Sequence, residues 1–123
     1  MSLINVWNMI IKFDETEISI LQNFKEGKKH LAANMFFDGV NRILKGRLEP
    51  GASIGVHTHE GSCEMIFITE GNGSIYEKTP DGCESTSPVT AGDCLYCPEG
   101  HTHSLINSSA EGDLVFYAAV PKQ

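Results

Sequence analysis

The sequence predicts an all-β domain, a sandwich or barrel of short strands, and three observations carry that prediction. From Gly39 onward lie eleven of the twelve glycines and all five prolines, so turn residues punctuate the chain at short intervals. The stretches between them are brief and several are rich in Ile, Val, Phe and Tyr, the residues that suit a pleated surface. The longest uninterrupted apolar run, Leu114 to Val120, is strand-sized and apolar on both faces, which fits a central strand covered on both sides.

Taken in order, the first forty residues are the least regular. Asn5 to Phe13 reads as a strand or a short helix, and Leu31 to Phe37 as a strand. Asp14 to Glu17 and Lys25 to Lys29 read as solvated loops. Residues 1–38 are therefore expected to form an extension packing on the barrel or on a partner subunit, and residues 39–123 the barrel domain. Strands are expected over Arg42–Glu49, Ile54–His57, Glu64–Thr69, Ser74–Lys78, Asp93–Cys97, His103–Ile106 and Leu114–Val120. In the first of these, Leu44, Gly46 and Leu48 fall on one face and Ile43, Lys45, Arg47 and Glu49 on the other, a period-two pattern. Glu64 breaks an otherwise apolar run, and a buried acid demands a partner.

Composition narrows the function. The 123 residues suffice for one domain, and 41% hydrophobic with 20% charged residues is ordinary globular composition. A formal charge of −7 repels phosphate backbones and anionic lipid, so neither nucleic acid nor a membrane surface is an expected partner. No stretch approaches the ~20 apolar residues that span a bilayer. The opening residues lack a basic start and an unbroken apolar run, so a cytoplasmic location is expected. Cys63, Cys83, Cys94 and Cys97 are too few for a disulfide scaffold. Cys94 and Cys97 form a C-x-x-C, but it lies on an expected strand and runs into Pro98, so two small thiols are expected there.

The chemistry lies in the histidines. Residues i and i+2 on a strand share a face, so His57 and His59 present two imidazoles side by side. After the Glu60–Ser62 turn, Glu64 opens the next strand and can return to them. His103 begins a later strand. Three imidazoles and a carboxylate suit a first-row divalent metal. His101 competes with His103, and Glu60 with Glu64, but both competitors fall in turns. His30 is expected at the surface. The tripeptide His57-Thr58-His59 recurs as His101-Thr102-His103, as though two similar stretches faced each other.

The wider spacing is more specific. Gly51, His57, His59, Glu64 and Gly71 read G-x5-H-x-H-x4-E-x6-G, and Gly92, Pro98, Gly100, His103 and Asn107 read G-x5-P-x-G-x2-H-x3-N. Each pattern arises by chance about once in 10⁷ starts at average residue frequencies. Together they resemble the two motifs of the cupin superfamily. That resemblance implies a double-stranded β-helix, or jelly roll, with His57, His59, Glu64 and His103 holding one divalent transition metal ion (Mn, Fe, Co, Ni, Cu or Zn) inside the barrel. It implies a turn-stabilising role for Asn107.

Two kinds of function are compatible with such a site. One is a metal-dependent enzyme on a small organic substrate, a dioxygenase or an isomerase; the other is a non-catalytic module that binds or senses a small molecule or the metal. Ion, carboxylate and neutral imidazoles together are net positive, so an anionic or chelating ligand is expected within an acidic protein. Tyr76, Tyr96, Arg42 and Arg47, on expected strands, are candidates for touching it. A homodimer is expected as the commonest way to cover exposed sheet.

Overall fold

The computed structural model describes residues 10–123. Two antiparallel sheets face each other as a jelly roll. One has six strands in the order β1 (Ser19–Gln22), β2 (His30–Phe37), β3 (Arg42–Leu48), β10 (Leu114–Val120), β5 (Glu64–Glu70) and β8 (Cys94–Cys97). The other has four, in the order β4 (His57–Thr58), β9 (Thr102–Ile106), β6 (Asn72–Lys78) and β7 (Glu84–Thr90). None of the described residues forms a helix long and apolar enough to cross a membrane. Residues 5–9 of the stretch expected as a strand or helix lie outside the described part, and the rest of it leads irregularly into a 3-10 turn at Phe13–Glu15.

Period-two patterning positions the core. Leu44, Gly46 and Leu48 of β3 point inward and are buried, as their alternation demands. Beside β3, the doubly apolar β10 is central, paired with β3 on one side and β5 on the other. Leu31, Leu48, Ile66, Leu105, Leu114 and Phe116 are each no more than 1% exposed and join the sheets. Phe116 sits opposite Gly46 in register, and its ring fills the space a side chain at Gly46 would take. A Cβ there would lie 2.3 Å from the ring.

Turns close the strands where the glycines fall. At Gly71 φ is +90°, and an added Cβ would lie 2.3 Å from the Asp113 carbonyl oxygen, so neither the conformation nor the space admits another residue. Asn107 is fully buried. Its amide donates to the carbonyls of Leu48 (2.9 Å) and Gly112 (3.0 Å), and its oxygen accepts from the Ser109 backbone N–H and hydroxyl. That pins the turn ahead of β10, where a buried carbonyl without a donor costs about 1–3 kcal/mol.

The sequence expectation departs from the structure at the edges. Ile54–His57 is strand only at its end, because Ser53 makes an isolated bridge to Ile106 and the chain then turns through Gly55 to β4. β1 and β7 lie outside the expected set of strands, the first being only four residues long and the second polar except for Val89. β7 is an edge strand with only Val89 buried, and it tolerates Pro88 because an edge needs fewer ladder donors.

The outer face of the six-stranded sheet has its own pattern. One cross-strand row reads Phe36, Ile43, Ala119, Met65, Tyr96; the adjacent row reads Asn34, Lys45, Tyr117, Phe67, Cys94. Phe67, Tyr96 and Tyr117 are 47%, 56% and 38% exposed. The single charge in these rows, Lys45, is paired with Asp14 at 3.1 Å.

Candidate metal centre

The repeated tripeptide builds the site. His57-Thr58 and Thr102-His103 lie antiparallel, His57 opposite His103 and Thr58 opposite Thr102, with the two threonine hydroxyls 2.7 Å apart. The His59 backbone N–H donates to the His101 carbonyl at 3.1 Å, extending the match by one step. His57, His59 and His103 thereby share a face directed into the barrel, and β5 brings Glu64 to them from the opposite sheet.

One ligand atom from each of His57, His59, Glu64 and His103 lies within 4.8 Å of all the others, a group able to bind a metal. His59 Nε2 is 3.0 Å from Glu64 Oε1 and 3.0 Å from His103 Nε2. His103 Nε2 is 2.8 Å from Glu64 Oε1 and 3.2 Å from His57 Nε2. Neighbouring donors on one ion with bonds of about 2.1 Å are separated by about this much. The tautomer of His57 agrees. Its Nδ1 donates to the Gly55 carbonyl at 2.7 Å, which leaves Nε2 with a lone pair aimed at the other donors. His59 Nδ1 is held by the Ser62 hydroxyl at 3.1 Å.

Electrostatics keep His57 and Glu64 in their ligating forms. Burial lowers the His57 pKa to about 4, so the ring is neutral at pH 7. Burial acts the other way on Glu64, but its hydrogen bonds with His103 and His59 outweigh it and hold the carboxyl at about 2, ionised. Imidazole nitrogen with one carboxylate is a donor set for a first-row divalent ion.

The competitors lie elsewhere. Gly100 has φ of +84° and the chain turns through Pro98–His101, so His101 precedes the strand and lines a separate surface pocket with Tyr96 and Cys97. Glu60 is exposed on the rim of the main cavity. His30 is half-buried at the start of β2. Cys94 and Cys97 are free thiols, the first exposed and the second buried. Burial, followed by the charge of Glu64, pushes the Cys97 thiol up to about 12, so it stays protonated.

A cavity of about 470 Å³ opens onto His57, His59 and Glu64. Of the four residues expected to touch a ligand, only Arg42 lines it. Arg47 is paired with Asp113 at 2.9 Å, Tyr76 is hydrogen-bonded to Glu84, and Tyr96 is on the outer surface. Phe24, Lys25 and Lys122 also line it and were not singled out in the sequence. Phe24 is an apolar residue inside a polar stretch, a weak signal; the two lysines give none.

Residues 45–120 match the family model described as the cupin domain. The chain belongs to the cupin family. This cupin is 29% identical over 118 residues to an oxalate-binding protein of Thermotoga maritima, with 91% of this chain and 93% of that protein covered. It also superposes on the crystal structure of a protein from Thermotoga maritima described as a predicted oxalate decarboxylase. There the TM-score is 0.82 at 26% identity, covering 94% of the cupin and all of the other chain. The oxalate decarboxylase of Bacillus subtilis, studied for its Mn(II) centres, shares the fold, with a TM-score of 0.70 at 20% identity over 91% of this chain and 29% of that one.

Proposed function

We propose that His57, His59, Glu64 and His103 are the ligands of one divalent metal ion, and that the protein binds a small chelating carboxylate of the oxalate class at that ion. The observation that carries this reading is the convergence of four donors at the inner end of an open cavity. The likeness to an oxalate-binding protein over nearly the whole chain supports it. A bound divalent ion would supply Lewis acidity and a coordination position for the carboxylate oxygens. The chain's own part is to hold three imidazoles and one carboxylate in place and to line the approach. Titrating oxalate into manganese-loaded protein by calorimetry should give saturable one-to-one binding, and into metal-free protein none. Equal binding in both, or none in the loaded protein, counts against the reading.

A metal-dependent reaction on the same ligand, a dioxygenation or isomerisation, is the second reading. Glu60 favours it, as a carboxylate on the cavity rim apart from the ligand Glu64, placed to take or give a proton.

We further propose that two copies associate through the outer face of the six-stranded sheet. The two cross-strand rows at its centre carry one charge, Lys45, which is paired with Asp14, so two acidic chains can meet there with few like charges in contact. In light-scattering measurements the wild type should have the mass of a dimer and Phe67→Glu that of a monomer. A wild type that is monomeric at every concentration tested rules this interface out.

A further inference from the structure

The cavity is larger and more apolar than oxalate requires. Its volume of about 470 Å³ lies in the range of pockets that take molecules much bigger than a two-carbon acid. Phe24, Leu31, Leu44, Ile54, Phe116 and Val120 form its wall between the histidines and the outside. Oxalate has no carbon chain to lay against them. At the rim stand Lys25, Arg42 and Lys122, three of the nine basic residues in an acidic chain, against one exposed acid, Glu60. None of the three is in an ion pair among the described residues. The Arg42 guanidinium lies over the Phe37 ring, 4.9 Å from its centroid, which holds it above the apolar wall.

The loop that supplies Phe24 and Lys25 is built at a cost. Asn23, Lys25, Glu26 and Lys29 all have positive φ, between 49° and 66°, a conformation that side-chain-bearing residues rarely adopt. The loop is fastened to the chain ahead of β4. Gly55 N–H donates to the Phe24 carbonyl and Ser53 N–H to the Lys28 carbonyl, both at 3.0 Å, while Lys28 N–H donates to the Ser53 hydroxyl at 2.9 Å. Gly55 is so close that a Cβ there would lie 1.8 Å from the Lys25 carbonyl oxygen. Strain concentrated in one loop and held by the segment that leads to the ligands marks a place where side-chain position matters.

Resting on the reading of the centre as one that chelates a carboxylate, we infer that the preferred occupant is an elongated dicarboxylic acid. A 2-oxo or 2-hydroxy acid head meets the metal ligands. The carbon chain lies on the apolar wall. The far carboxylate reaches the rim, where Arg42 binds it and Lys25 and Lys122 add positive potential.

The test compares acids with one chelating head on manganese-loaded protein: pyruvate, 2-oxohexanoate and 2-oxoadipate, with oxalate as reference. Affinity should rise about tenfold or more from pyruvate to 2-oxohexanoate as the chain is buried. It should rise about fivefold again to 2-oxoadipate, and that second gain should shrink in high salt while the first does not. Arg42→Met should remove the second gain while leaving metal content and 2-oxohexanoate affinity unchanged; Lys122→Met should reduce it in part. If oxalate binds but the three 2-oxo acids bind alike, the elongated occupant is wrong and the chelating centre stands. A 2-oxoadipate advantage that survives both substitutions removes the rim from the recognition. Should neither oxalate nor any 2-oxo acid bind, the chelating centre itself is wrong, and the inference falls with it.

Discussion

His59→Ala should lose its metal. Wild-type protein loaded with manganese and desalted should retain about one ion per chain, and the variant should retain background only. Its affinity should fall by more than about 100-fold, because even a lost hydrogen bond behind a ligand costs 10–100-fold. His59 contributes at the centre of the group, 3.0 Å from both Glu64 and His103. The companion variant His101→Ala removes the histidine that lies across from His59 in the second tripeptide and lines a different pocket, and it should retain its metal. Equal metal in His59→Ala and wild type would show that the four residues are not the site.

Phe116→Ala should destabilise the fold by about 3–5 kcal/mol, the range for removing a fully buried aromatic ring. The upper part of that range is expected because the ring is also the filling for Gly46. With the ring gone, the strand opposite offers no side chain to close the gap. Urea unfolding followed by circular dichroism measures this directly. A loss below about 1 kcal/mol would mean that the cavity wall collapses freely around position 116.

Much of this was legible in the chain because inner faces leave periodic marks. The alternation in β3 and the acid among apolar neighbours at Glu64 each report a burial that the structure shows. The doubly apolar β10 is central but not covered on both sides, its outer face being open at Tyr117. The metal group was legible for a different reason. The four members of the group, able to bind a metal, sit at fixed offsets from glycines whose backbone conformations fix the turns, so spacing carries geometry. What escaped were features whose cause is not local. β1 and β7 each give the core a single apolar residue, Leu21 and Val89, too little for a periodic mark. Phe24 and Lys25 reach the cavity only because a loop with four left-handed residues is tied to Ser53 and Gly55, some thirty positions away, and no pattern within residues 23–29 encodes that.

β4 has a consequence of its own. It is two residues long, lies at the edge of its sheet and shares only two residue pairs with β9, yet it carries His57 and leads directly to His59. So short a ladder is an intrinsically weak fastening, and segments like it are the first to open in a native protein. An ion gripped by His57 and His59 on one side and by His103 and Glu64 on the other would act as a rivet through this seam, joining β4 to His103, more than forty residues on, and to Glu64 of the facing sheet. The free-energy gain grows with ion concentration, about 2.7 kcal/mol at a hundred times the dissociation constant. Amide exchange at residues 57–59 would then serve as a gauge of free metal, slow when the rivet is in and fast when it is out.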